Sequence, residues 1–105
     1  MVNNMLTSKQ RAYLRGIASE YETIYQIGKN GVTDAVCRDI AEALRKRELI
    51  KLRVLENSGW TAREAADAVA QATDSDVVQV IGSKFVLFKR NPKEPVIEGI
   101  PKDNK

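Results

Sequence analysis

Four residues, Gly28-Lys29-Asn30-Gly31, carry the strongest chemical signal in this 105-residue chain. A loop that contacts a phosphate backbone needs exposed peptide N–H groups and no Cβ atoms in the way, and glycine supplies both. Lys29 adds a mobile positive charge, and Asn30 adds a donor and an acceptor. Thr33 stands as the N-cap of a following helix, so the loop discharges into a helix N-terminus whose partial positive charge also favours an anion. Taken alone, a single G-x-x-G is better explained as an ordinary Asn-Gly turn. Two features narrow the reading. The residues after Gly31 do not alternate as the second strand of a hairpin would, so the turn joins strand to helix. The pattern also lacks the Gly-Lys-Ser/Thr ending of a nucleotide P-loop, and a grip on the backbone of single-stranded or looped nucleic acid becomes the sharper option.

Residues suited to catalysis are scarce. The chain has no histidine and one cysteine, Cys37, which falls on the apolar stripe of a predicted helix, where a buried inert thiol is expected. Asp74 and Asp76 offer two carboxylates for a cation, but a polar turn between helix and strand explains them equally. The expectation is a protein that is not an enzyme, with no metal, no cofactor and no small-molecule substrate.

Charge distribution says more than the net charge of +3. Residues 1–53 hold ten Lys and Arg against six Asp and Glu, residues 54–83 one against five, and residues 84–105 six against three. Such segregation is expected when one surface meets phosphate and another meets water. Arg11, Arg15, Arg45, Lys46, Arg47, Lys51 and Lys84 are candidates to extend the footprint of the loop, with Arg53, Lys89 and Arg90 beside them. Each is also readable as solvated surface. Tyr13, Tyr21 and Tyr25 are candidates to stack on bases, although aromatics at such spacing more often serve a core. The acidic stretch from Glu56 to Asp76 supports a rival reading, a protein-interaction module that docks a basic partner without touching RNA.

The elements that must position these residues follow from periodicity. Thr7-Ser8-Lys9-Gln10 has the form of a capping box, and Tyr13, Leu14, Ile17, Ala18 and Tyr21 give one apolar face, which predicts a helix over 8–20. Residues 22–27 read as a strand stopped by Gly28. Val36, Cys37, Ile40, Ala41 and Leu44 predict a helix over 34–46, with Arg45-Lys46-Arg47 complementing its C-terminal dipole. Residues 49–55 alternate as a strand, with Ile50, Leu52 and Val54 on one face and Lys51 and Arg53 on the other. Thr61-Ala62-Arg63-Glu64 is a second capping box, opening an alanine-rich helix that ends near Thr73. Residues 77–81 and 85–89 form a hairpin around Gly82-Ser83-Lys84. The predicted order is α-β-α-β-α-β-β: one α/β domain over residues 6–90, a four-stranded mixed sheet packed with helices. Residues 91–105 are expected to be an extended or mobile tail. The absence of a long apolar run and of an apolar signal core predicts a cytoplasmic protein with no membrane partner.

On these residues the chain resembles the CRM domain (chloroplast RNA splicing and ribosome maturation) in its stand-alone bacterial YhbY-type form. The resemblance runs from Leu6 to about Arg90. It rests on Leu6-Thr7-Ser8-Lys9-Gln10-Arg11, Gln26-Ile27-Gly28-Lys29-Asn30-Gly31-Val32-Thr33, Glu48-Leu49-Ile50-Lys51-Leu52, Val78-Gln79-Val80-Ile81-Gly82 and Val86-Leu87-Phe88. The resemblance implies a fold similar to the C-terminal domain of translation initiation factor three and RNA binding through the G-x-x-G loop. It further implies association with 23S ribosomal RNA in 50S precursors, and the chain is expected to act as a monomer. Asn57 to Trp60 and the residues after Arg90 match no part of the family pattern, so it assigns no role to Trp60 or Lys93.

Overall fold

In the computed structural model, which describes residues 6–101, each helix starts where a threonine can cap it. The elements are α1 (Ser8–Ala18), β1 (Tyr25–Ile27), α2 (Asp34–Arg47), β2 (Leu49–Val54), α3 (Ala62–Thr73), β3 (Asp76–Ile81) and β4 (Lys84–Phe88). The Thr7 hydroxyl accepts from Gln10 N–H at 3.0 Å while the Gln10 side chain accepts from Thr7 N–H at 3.0 Å. Thr61 and Glu64 repeat this reciprocal pair at the start of α3. Thr33 accepts from Val36 N–H at 3.2 Å at the start of α2. Each cap satisfies backbone donors that a helix end leaves without partners, an effect of about 1 kcal/mol per cap.

The order is the predicted α-β-α-β-α-β-β, and two boundaries differ by more than one residue. Helix α1 stops at Ala18, where the Ser19 hydroxyl donates back to Gly16 C=O at 2.7 Å. Strand β1 holds three residues, because Glu22 and Thr23 belong to the connection that brings the chain from α1 to the sheet edge. A 3-10 turn over Glu56–Ser58, which periodicity did not predict, separates β2 from α3.

The sheet is mixed, in the order β1-β2-β4-β3. β1 runs parallel to β2, while β4 is antiparallel to both β2 and β3. Alternation along β2 divides the molecule into layers. Ile50, Leu52 and Val54 face one core with Ile27, Phe85 and Leu87, roofed by Ile40 and Leu44 of α2 and by Ala62, Ala65, Ala66, Val69 and Ala70 of α3. The small side chains of α3 let its backbone lie close to the strands. Leu49 faces the other way, into a second core with Val78, Val86 and Phe88, covered by Leu14 and Ala18 of α1 and by Ile97. The result is one α/β domain with α1 on one face of the sheet and α2 and α3 on the other.

Glu48 joins the layers. It ends α2 with φ of +67° and ψ of −38°, a sparsely populated backbone conformation that costs a non-glycine residue on the order of 1–3 kcal/mol. Its side chain is completely buried. The carboxylate accepts from the N–H groups of Asn91, Val96 and Ile97 at 2.6, 2.8 and 2.8 Å, and from Arg90 at 3.0 Å. Burial pushes the Glu48 carboxyl up, but these backbone donors and the Arg90 charge outweigh it and hold it below the usual carboxylate range. Residues 91–101 carry no helix or strand. They are extended and tied down: Tyr13 donates to Glu98 C=O at 2.8 Å and Gln10 to Pro101 C=O at 2.9 Å. No helix among the described residues is long and apolar enough to cross a membrane.

Candidate nucleic-acid interface

The parallel pairing of Ile27 with Val54 places the start of the G-x-x-G loop beside the end of β2, and Leu55 N–H donates to Ile27 C=O at 2.9 Å to pin its base. Gly31 N–H donates to Gly28 C=O at 2.8 Å, closing a tight turn over Lys29 and Asn30, and both of these side chains are exposed. The N–H groups of Lys29, Asn30 and Val32 donate to no other described residue. The turn therefore leaves three amides without a protein acceptor and exposes one cation immediately before the N-terminus of α2, which suits an anion.

The two glycines have different reasons to be there. Gly31 has φ of +71°, and a Cβ on it would run into the Trp60 indole nitrogen and lie 3.0 Å from Trp60 Cδ1. The tryptophan thus forms a floor under the loop, and Gly31 itself is buried against it. A Cβ on Gly28 would meet only Leu55 Cδ1 at 3.7 Å, an ordinary contact. Nothing inside the fold requires glycine at 28, so any need for it lies on the solvent side. Trp60 escaped the sequence reading, although its position, directly before the N-cap Thr61, is where an inward-packing apolar residue is often found. Ser58 and Gly59 set it there: the Ser58 hydroxyl accepts from Trp60 N–H at 3.0 Å, and Gly59 has φ of +79°.

The other candidate cations do not form one patch. Lys84 lies across the sheet from Arg53, at the loop end of β2 and β4, and both are exposed with no ion pair among the described residues. Arg45, Lys46 and Arg47 sit at the opposite end of α2, roughly 20 Å away at about 1.5 Å per residue. There Glu42 pairs with Arg45 and also with Lys46, at 3.8 Å. Lys51 is half-buried and donates to Tyr21 C=O at 3.0 Å. Lys89 donates to Thr73 C=O at 2.9 Å, and Arg90 is held by Glu48. Arg11 lies near the Asp76 carboxylate, while Arg15 is exposed on α1. A cleft between α2 and the Lys89–Glu94 segment belongs to this far end, where carboxylates already balance much of the positive charge.

The tyrosines serve the cores. Tyr13 and Tyr21 pack beside α1, and Tyr25 packs on the opposite core and donates to Asp39 at 3.1 Å. Burial first, then the Asp39 hydrogen bond and charge, push the Tyr25 hydroxyl above its usual pKa. Cys37 is half-buried rather than buried, and burial together with the Asp34 charge raises its pKa, which disfavours the reactive thiolate. Asp76 is buried and pushed up to about 6 by burial, offset by Arg11 and reinforced by Asp74. Among the described residues no group of three or more Cys, Asp or Glu side chains is placed to hold a metal ion.

The architecture is an α/β layer fold that carries a G-x-x-G turn at its surface, directly ahead of a capped helix. The chain belongs to the CRS1 / YhbY (CRM) domain family, which matches residues 6–89. It is 43% identical over 94 residues to the Bacillus subtilis protein named Probable RNA-binding protein YqeI, covering 90% of this chain and 98% of that one. It is 33% identical over 84 residues to a Haemophilus influenzae protein named RNA-binding protein, covering 80% of this chain and 85% of that one. The solution structure of a candidate RNA binder from Staphylococcus aureus superimposes with a TM-score of 0.67 at 36% identity, covering 96% of this chain and 95% of that one.

Proposed function

We propose that this chain is a non-catalytic RNA-binding protein whose Gly28–Gly31 loop holds RNA phosphate. The carrying observation is the turn itself: the free N–H groups of Lys29, Asn30 and Val32, with the exposed Lys29 side chain, stand on a floor formed by Trp60. Thr33 and the first turn of α2 add the positive end of a helix dipole. The relatives named as RNA-binding proteins support the same partner. In this reading the protein works in the cytoplasm as a monomer, binds 23S ribosomal RNA in 50S precursors and helps that RNA fold or hold its shape during assembly. No bond is made or broken, and neither a membrane nor a small-molecule substrate takes part.

Salt supplies the test. Affinity for ribosomal RNA fragments is expected to fall steeply as salt rises, and Lys29→Ala to reduce the log-log slope by about one. Lys29→Glu should weaken binding roughly tenfold or more at low salt, since it replaces an attraction with a repulsion at a phosphate contact. Affinity unchanged in Lys29→Glu would defeat the loop assignment. Crosslinking the protein to RNA in cells and sequencing the attached fragments tests the ribosomal destination: reads scattered without enrichment in 23S precursor RNA would remove that part of the proposal.

A further inference from the structure

Helix α1 covers only part of its face of the sheet. Along β2 this face reads Leu49, Lys51, Arg53, which pass from buried through half-buried to exposed; along β4, Phe88 and Val86 are buried and Lys84 is exposed. β3 shows the same gradient, from Val78 at 2% to Ile81 at 60% exposure. The strand register aligns the uncovered positions. Gln26 of β1 is opposite Arg53 of β2, Arg53 is opposite Lys84 of β4, and Lys84 is opposite Ile81 of β3. Gln26 shares this face because Tyr25 and Ile27 on either side of it pack into the opposite core. One row of four exposed side chains therefore crosses all four strands, about 14 Å from end to end at the usual strand spacing. It contains two cations and no carboxylate. The row begins two residues before Gly28, so it continues directly from the loop.

Resting on the RNA-binding reading of the loop, we propose that this row is a second contact surface, which takes a short single-stranded stretch of RNA running on from the phosphate held at Gly28–Gly31. Arg53 and Lys84 would meet its phosphates. Gln26 would hydrogen-bond a base edge, and Ile81 would pack on a base face. The last two contacts favour unpaired nucleotides, because a duplex keeps its base faces stacked and its A-form major groove too narrow for side chains. They also account for Ile81, a large apolar side chain left bare beside Lys84 at the end of the row.

The test compares a single-stranded RNA of about twelve nucleotides, within the site sizes of single-strand binders, with the same sequence in a duplex. The Arg53→Ala/Lys84→Ala double variant is expected to bind the single strand roughly tenfold more weakly and to lose about two from the salt slope. Ile81→Ser is expected to weaken single-strand binding several-fold with the slope unchanged. All three side chains are exposed, so circular dichroism melts should match the native protein. Native single-strand affinity in both variants, with binding lost in Lys29→Glu, would overturn the sheet surface and leave the loop standing. Indifference of the single strand to all three variants would overturn both. An equal loss for duplex and single strand in the double variant would also overturn the proposal, making the row a general phosphate contact.

Discussion

The two ends of the sheet are both rich in basic residues, and they use them in opposite ways. At the end where β2 passes into α3, Lys29, Arg53 and Lys84 are exposed and make no ion pair among the described residues, and three loop amides donate to no described residue. At the other end Glu48 gathers four donors, Glu42 faces Arg45 and Lys46, and Lys89 is bound to Thr73 C=O. Charge counts cannot separate these ends. What separates them is whether the protein has already supplied each cation with an acceptor, since only an unpaired group can give up its water to a partner without also breaking an internal bond.

That contrast can be broken by experiment. The largest effect is expected from Glu48→Gln, which removes a buried anion from four donors and should cost about 3 kcal/mol in urea unfolding. It should also open residues 91–101 to limited proteolysis while loop binding of RNA persists in the folded fraction. A loss below about 1 kcal/mol would mean that Glu48 does not anchor this end. Next comes the glycine pair. Gly31→Ala should lose about 2–3 kcal/mol, combining left-handed strain with the collision against Trp60, and the emission of this sole tryptophan should shift. Gly28→Ala should stay within about 1 kcal/mol of native stability yet weaken RNA binding several-fold. Equal stability losses would show that both glycines serve the fold alone.

The smallest effect concerns pH. Asp76, in register with Phe88 at the Glu48 end of the sheet, has a folded pKa of about 6 against an ordinary 3.8. A raised value means that its contribution is fully present below 3.8 and is lost as pH rises through about 6. The loss should be on the order of 1 kcal/mol per pH unit across that range, with the opposing Arg11 charge already contained in the value of about 6. Glu48 acts with the opposite sign: its pKa is lowered, so its contribution is present above 4.5 and is lost on acidification. Asp76→Asn should flatten the melting temperature between 3.8 and about 6. A profile unchanged in that variant would remove Asp76 from the account.

Local signals in the sequence determined much of this protein. Both capping boxes, the Thr33 cap, the alternation of β2, the hairpin at Gly82 and the order of elements were readable because each depends on residues a few positions apart. The Gly28–Gly31 turn and its hand-over to α2 were readable for the same reason. What only the tertiary structure decided is which groups meet across long stretches of chain. Trp60 beneath Gly31, Glu48 bound to residues 90–97, and the alignment of Gln26, Arg53, Lys84 and Ile81 across four strands leave no periodic trace. They arise when the sheet brings distant segments within hydrogen-bond or van der Waals range, and that registration is set by burial of the two cores as a whole rather than by any one segment.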